Sequence, residues 1–329
     1  MLMSSNSRNI RAPYRVAIIG AGRIASSFDT PDTRNILTHA HALSRDSRFS
    51  LAGMYDIDAV RAREEAHKWG TTPYRTVEEL LNERPDVVVI ATPDDTHASL
   101  LWRVAGAKPR LIVCEKPVGV TPEELKDLTA FPADIPVVVN FSRRFDRGLA
   151  VFRDALVSQE YGRVVSATGT YTNGVLHNGS HLMDLSRYLF GELLEVRGYY
   201  GISDHSESDP TVSGFASFER CPQMSFVAGD ERAYAVFDFE ILTEQKRFRL
   251  ENFGAILVCE DAVPDPLYAG FRALGPRRTT QLQLLNALPE LYTHVYQVLA
   301  HGAPVRSSLQ DAVRAQEGCF QLLRSFQSS

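Results

Sequence analysis

The sequence predicts an α/β protein. Its N-terminal part reads as a doubly wound parallel sheet. Its C-terminal part reads as an α+β domain with a mostly antiparallel sheet. Three observations carry this. Short apolar runs alternate with helix-like stretches from 14 to 142, the order that builds β-α-β units. The first run ends in the glycine turn Gly20-Ala21-Gly22. From 211 to 260, strand-like segments follow one another without helices between them. A chain of 329 residues can hold two cores, and the change of pattern divides it into 1–145 and 146–329.

The elements follow in order. Tyr14 to Ile19, Phe49 to Tyr55, Asp86 to Ala91, Leu111 to Cys114 and Pro136 to Phe141 read as strands. The 86–91 run (DVVVIA) is almost wholly β-branched, as a parallel strand covered on both faces should be. Ala59 to Trp69 and Thr96 to Ala107 read as helices, and Thr121-x-x-Glu124 with Pro122 starts another through a capping box. Further on, helices are expected at Arg147 to Gln159 and His181 to Phe190, with a strand at Arg163 to Tyr171. Apolar Ala235, Phe237, Phe239 and Ile241 alternate with Tyr234, Val236, Asp238 and Glu240, the period of a sheet covered on one face. A last helix is read near 308–326.

Composition narrows the function classes. The apolar fraction of 44% and charged fraction of 23% are those of a globular protein. The net charge of -5, with no basic block, argues against nucleic acid and anionic membranes as partners. Cys114, Cys221, Cys259 and Cys319 show no metal-ligand spacing and read as reduced thiols. Residues 1–14 lack the apolar stretch of a signal peptide, and no run spans a bilayer. The expected location is the cytoplasm.

The strand Val16 to Ile19 runs into Gly20-Ala-Gly22-Arg23-Ile24-Ala25. In this G-x-G-x-x-A pattern Gly20 permits a tight turn and Gly22 lets a pyrophosphate approach the backbone. Ala25 lets the following helix pack close, with its N-terminus toward the phosphates. The second strand ends at Asp56, where a carboxylate can accept hydrogen bonds from an adenosine ribose. That carboxylate repels a 2′-phosphate and Ile57 adds no positive charge, so NAD(H) is expected over NADP(H); Arg61 and Arg63 could offset this. The stretch from Ser26 to Thr38 is longer than such a turn needs, and is either a surface insertion or a flap over the ligand.

Lys116 follows the buried run Leu111 to Cys114 and precedes Pro117. A lysine projected from a strand end into the crevice of an open sheet is a candidate proton shuttle, provided its pKa is lowered. His177 and His181 lie downstream. Their i, i+4 spacing would also suit a metal on a helix, but no carboxylate-rich third ligand is evident and no metal is expected.

In order, GAGRIA (20–25), ATPDDTHA (91–98), CEKPVGVTPEEL (114–125), NFSRRFD (140–146), GRVVSATGTY (162–171) and HNGSHLMDLSRYLFGE (177–192) resemble the glucose–fructose oxidoreductase / inositol dehydrogenase (Gfo/Idh/MocA) family nearly end to end. The resemblance implies an N-terminal Rossmann domain, a C-terminal α+β domain with a large open, mostly antiparallel sheet, and a last helix (about 308–326) that packs back on the first domain. It also implies that Lys116 works in proton transfer, that His181 is the acid/base, and that Thr92, Pro93, His97 and Glu115 line the cofactor with Gly20, Gly22, Arg23, Ile24 and Asp56. Gly179, His181 and Asp184 match the family's D-x-G-x-H-x-x-D, but His177 stands where the family has its first aspartate. A His/His pair supplies no carboxylate there. His177 is therefore kept as a catalytic candidate, with Tyr171, Asn178, Asp184 and Arg144 as candidate substrate contacts. Asp184 could instead pair with Arg187, and Arg144 could be a salt-bridged surface residue.

The resulting expectation is hydride transfer between nicotinamide and a secondary alcohol or ketone of a sugar, cyclitol or nucleotide-sugar, in a homodimer or homotetramer. The alternatives are an NAD-dependent glycosidase acting through transient oxidation and a non-catalytic dinucleotide-sensing regulator.

Overall fold

A computed structural model describes residues 12–327. Six strands form an all-parallel sheet: β1 (Tyr14–Ile19), β2 (Phe49–Tyr55), β3 (Pro73–Tyr74), β4 (Val87–Ile90), β5 (Leu111–Cys114) and β6 (Val137–Val139), in the order β3-β2-β1-β4-β5-β6. The helices between them are α1 (His39–Ser44), α2 (Ala59–Lys68), α3 (Val77–Asn82), α4 (His97–Gly106) and α5 (Pro122–Leu128). The reason for the β-branched runs is visible in the packing. Ala17, Ile19, Val88, Ile90, Ile112 and Val139 face one apolar cluster, with Leu80, Leu101 and Leu125. Val16, Ile18, Val87, Val89, Leu111 and Val113 face the other, with Leu43 and Ala66. Alternate residues enter opposite layers, and each buried Val or Ile contributes roughly 1.5–3 kcal/mol. The capping box forms at Thr121, with Glu124 reaching back to the Thr121 amide.

The second half comprises α6 (Arg147–Val157), β7 (Val164–Tyr171), α7 (Ser180–Phe190), β8 (Leu193–Ile202), β9 (Thr211–Phe218), β10 (Cys221–Ala228), β11 (Phe237–Thr243), β12 (Lys246–Glu251), β13 (Ile256–Pro264), β14 (Arg272–Leu274), β15 (Arg278–Gln281), α8 (Ala287–His301) and α9 (Leu309–Gln327). The nine strands run β14-β13-β12-β11-β7-β10-β9-β8, with β15 on β13. Every pairing is antiparallel except β7 with β10. One face carries α7 and α9.

Three local expectations change. The helix expected after the glycine turn is a single wide turn, Arg23–Ser27, held by i to i+5 bonds such as Phe28 N to Arg23 O (3.1 Å). The chain then leaves helix geometry and resumes it at α1, because Asp29 is buried and ties the connecting stretch down. Its carboxylate accepts from Leu37 N (2.6 Å) and Thr38 Oγ1 (2.6 Å), and lies 2.9 Å from His41 Nδ1. The strand expected from Tyr234 begins at Phe237. The sequence reading also passed over β8 and α8; the latter packs Leu288, Leu291, Tyr292 and Val295 against the outer layer of the parallel sheet.

The last helix joins the two halves. Val139 N donates to Ser307 O (2.8 Å), so the chain entering α9 extends the edge at β6. Farther along, Leu322 and Phe326 lie on a glycine stripe. A Cβ at Gly198, Gly201 or Gly214 would stand 2.6–2.9 Å from atoms of these two residues, so side chains there would lift the helix off the sheet.

Candidate active site

A cleft of about 1150 Å³ opens at the C-terminal ends of β1, β4 and β5. This is where the strand order reverses, the usual ligand crevice of an open α/β sheet. At the reversal the chains leaving β1 and β4 nearly touch. Gly20 has φ +101°, and a Cβ on it would lie 2.3 Å from the Ala91 carbonyl oxygen. Gly22 is different. Its missing Cβ would meet no protein atom within 4 Å, and the residue lines the cleft. That is the open backbone a pyrophosphate requires. Asp56 fixes the turn from the end of β2, accepting from Ala21 N (2.7 Å) and Asp58 N (2.8 Å), with Arg61 Nη1 3.8 Å away. Arg23, Ile24, Asp56, Thr92, Pro93 and Glu115 all line the same cleft. The residues present therefore fit a dinucleotide.

Three further candidates, Lys116, His177 and His181, line the cleft as well. Lys116 follows β5, and its bond to Pro117 is cis. Its Nζ donates to the His177 carbonyl oxygen (3.2 Å). Burial pulls the lysine's pKa below its ordinary value, against the raising influence of Asp94 and Glu115. His181 sits at the start of α7, edge-on to Phe141 (5.8 Å between ring centres). Burial pushes its pKa well below the ordinary imidazole value, and the charges of Lys116 and Arg143 add to this. His181 is therefore neutral at neutral pH.

His177 is held at its backbone. Asp209 accepts from Leu176 N (2.8 Å) and His177 N (3.1 Å), under the turn Gly174–Gly179. The His177 ring stacks on His205 (5.0 Å, 9°), and its Nδ1 lies 3.5 Å from Asp94 Oδ2. The carboxylate absent from the sequence beside His177 thus arrives from the loop after β4. Asp94 is a site residue that sequence reasoning missed, although ATPDDTHA had been singled out. Among the described residues, no three His, Cys, Asp or Glu side chains gather as a metal site.

Five expected contacts lie elsewhere. Tyr171 is fully buried, and its hydroxyl donates to Val212 O (2.8 Å). Asn178 is turned to Thr172 O (2.9 Å). His97 is buried behind the cleft wall, with Nδ1 2.6 Å from Pro117 O and Nε2 2.9 Å from Thr92 O, so it ties two cleft loops together. Arg144 and Asp184 pair with each other: Arg144 Nε lies 3.0 Å from both Asp184 oxygens, and Nη1 donates to Arg306 O (3.0 Å). Arg187 turns instead to Glu192 (2.8 Å). It is the neighbouring Arg143 that faces the site's electrostatics. It lies over the Phe237 ring (3.7 Å) and donates to Phe253 O (2.7 Å), and burial lowers its pKa to about 10.

The oxidoreductase family GFO_IDH_MocA, NAD-binding Rossmann fold, matches residues 14–140. That stretch is similar to the Gfo/Idh/MocA family. The chain is 29% identical over 195 residues to inositol 2-dehydrogenase of Rhizobium meliloti (54% of this chain, 55% of the relative). It is 26% identical over 201 residues to glucose-6-phosphate 3-dehydrogenase of Bacillus subtilis (54% and 53%). It therefore spans about half the length of these curated relatives. An NAD-binding oxidoreductase from Klebsiella pneumoniae shares the fold over 96% of this chain and 98% of that one, with TM-score 0.79 and 15% identity. Among the described residues, no helix is long and apolar enough to cross a membrane.

The Arg144–Asp184 pair is expected to support the fold of this chain and not to bind substrate. Arg144→Met leaves a buried carboxylate unpaired and should lower stability by about 3–5 kcal/mol, read from the urea midpoint, whereas Arg144→Met with Asp184→Leu should recover much of the loss. Unchanged stability with a raised KM would assign Arg144 to substrate instead.

Proposed function

We propose that the protein is an NAD(H)-dependent oxidoreductase that moves a hydride between nicotinamide and a secondary alcohol or ketone of a sugar or cyclitol, nucleotide-sugars included. The single observation that carries this is one cleft lined both by the Gly20–Gly22 turn and Asp56 and by Lys116, His177 and His181. Two relatives named for sugar and cyclitol dehydrogenation support the substrate class. The proposed division is 1–145 for the cofactor and 146–329 for the substrate.

The bound dinucleotide supplies the hydride acceptor or donor; Gly20, Gly22, Arg23, Ile24, Asp56, Thr92, Pro93 and Glu115 would hold it. The protein's own task is the hydroxyl proton. A partly buried lysine with a lowered pKa can take that proton as the free amine and return it in the reverse direction. Neutral His181 can hold the same hydroxyl, accepting through one ring nitrogen. His177, backed by Asp94, is placed to bind a neighbouring hydroxyl. Asp56 favours NAD by repelling a 2′-phosphate.

Lys116→Ala and His181→Ala should each lower kcat about 10²–10⁴-fold, while NADH binding, read by fluorescence, persists. Alcohol oxidation should rise with pH through the lysine's titration, because only the unprotonated amine accepts a proton, and ketone reduction should fall over the same range. Full turnover in either variant, on a substrate the wild type oxidises, would remove that residue's role. Asp56→Ser should shift the NADP/NAD ratio of kcat/KM at least about tenfold toward NADP, since a like charge is removed; an unmoved ratio argues against Asp56 as the selector. The outer face of the nine-stranded sheet exposes Leu194, Tyr199 and Phe215, which supports pairing into a dimer or tetramer. Light scattering that finds only the 36.7 kDa chain at high concentration would reject this.

A further inference from the structure

Behind Lys116 lies a buried hydrogen-bonded chain of which the reaction scheme uses only Glu115, as a cofactor contact. Glu115 ends β5 and lines the cleft with only 8% of its surface exposed. Its Oε1 takes two bonds, from Asn140 Nδ2 (2.7 Å) and His39 Nε2 (2.8 Å). His39 is fully buried, and its Nδ1 lies 2.8 Å from the hydroxyl of Tyr292, itself fully buried. One tautomer satisfies every proton: the Tyr292 hydroxyl donates to Nδ1, and Nε2–H donates to Glu115. Among the described residues no hydrogen bond reaches Oε2. The carboxylate is thus pinned by one oxygen, with the other left free.

We propose that His39 and Tyr292 are positioning residues: with Asn140 they hold the Glu115 carboxylate as a fixed anion beside Lys116. The arrangement draws on three separate parts of the chain. His39 opens α1 directly after the 26–38 stretch that Asp29 ties down, Asn140 follows β6, and Tyr292 comes from α8. A carboxylate with no partners in such a place would be driven toward its neutral form by burial. The bonds from His39 and Asn140 oppose that, and the Glu115 pKa lies below its ordinary value. The charge matters because Lys116 is otherwise faced by a mixed field. Asp94 and Asp209 favour its protonated form, Arg143 opposes it, and the His177 carbonyl and neutral His181 stand close by. Facing Glu115 itself are Lys116, His39, Asn140, the Tyr292 hydroxyl and the Cys114 thiol.

This rests on the reading of Lys116 as proton shuttle, but its test does not need turnover. The full chain is acylated with acetic anhydride across a pH series, and modification of Lys116 is followed by peptide mass mapping, which reports the fraction of free amine. Removing the support with His39→Leu should let Glu115 take up a proton, so the Lys116 midpoint should move down by about one pH unit. Tyr292→Phe should move it less in the same direction, and His39→Gln, which keeps a donor toward Glu115, should restore most of the wild-type midpoint. On an alcohol the enzyme oxidises, the kcat profile should shift with the labelling midpoint while KM changes little. Folded His39→Leu and Tyr292→Phe proteins with wild-type midpoints would overturn the proposal, leaving the chain a purely structural element. Where His39→Leu does not fold, an unshifted Tyr292→Phe midpoint overturns it alone. A shifted midpoint in a protein that oxidises no alcohol would uphold the network and count against the oxidoreductase reading.

Discussion

The site depends on one buried ion pair, Arg144 with Asp184. Arg144 lies in the turn Ser142–Phe145 that leaves the parallel sheet, and Asp184 lies one turn beyond His181 on α7. The same guanidinium reaches the Arg306 carbonyl and comes within 3.4 Å of Asp311 at the start of α9. Three segments meet at one cation. Because α7 carries both Asp184 and His181, fixing the carboxylate fixes the direction in which the imidazole faces Lys116. A buried pair of this kind adds little net stability over apolar packing. Here it specifies which face of α7 looks into the cleft.

The electrostatics of the cleft follow from enclosure. Arg143 is buried and Lys116 and His181 are partly buried, and each is pulled toward its neutral form by loss of water. Asp94 and Glu115 counter this at the lysine alone. The outcome is a neutral histidine beside an amine whose proton is easier to remove than in water. Two groups with separated proton affinities at one point are what reversible proton transfer to a hydroxyl needs.

Much of the parallel sheet was legible because its central strands β4 and β5 and the neighbouring β6 are buried on both faces, so their apolar runs, VVVI, LIVC and VVV, are unbroken. The glycine turn, Asp56 and the capping box are local chemistry and were equally readable. What escaped depends on distance. Tyr171 and Asp184 look like polar ligands in a motif, but their partners, Val212 and Arg144, are 41 and 40 residues away. His39 and Tyr292 are 253 apart, and nothing in either neighbourhood announces the other. Strand β8 was overlooked because Gly198 and Gly201 interrupt it; those glycines are the seat of α9. Helix α8 did carry a signal, with Leu288, Leu291, Tyr292 and Val295 at helical spacing.

That seat has a consequence for how the chain reaches its final form. The contacts that close the structure are made from Arg306 onward, after every strand of both sheets. Gly198 N bonds Ser325 Oγ across 127 residues, and Arg144 bonds Arg306 O across 162. The edge strand β6 gains its outer partner only from Ser307. Loop-closure entropy must be met before such distant contacts contribute. Both sheets can be assembled before α9 leaves the ribosome, yet α7 lacks its cover and β6 its neighbour until Ser307 and α9 emerge. A nascent chain halted before that point would present an open sheet edge and a bare glycine groove to whatever chaperone stands at the exit tunnel.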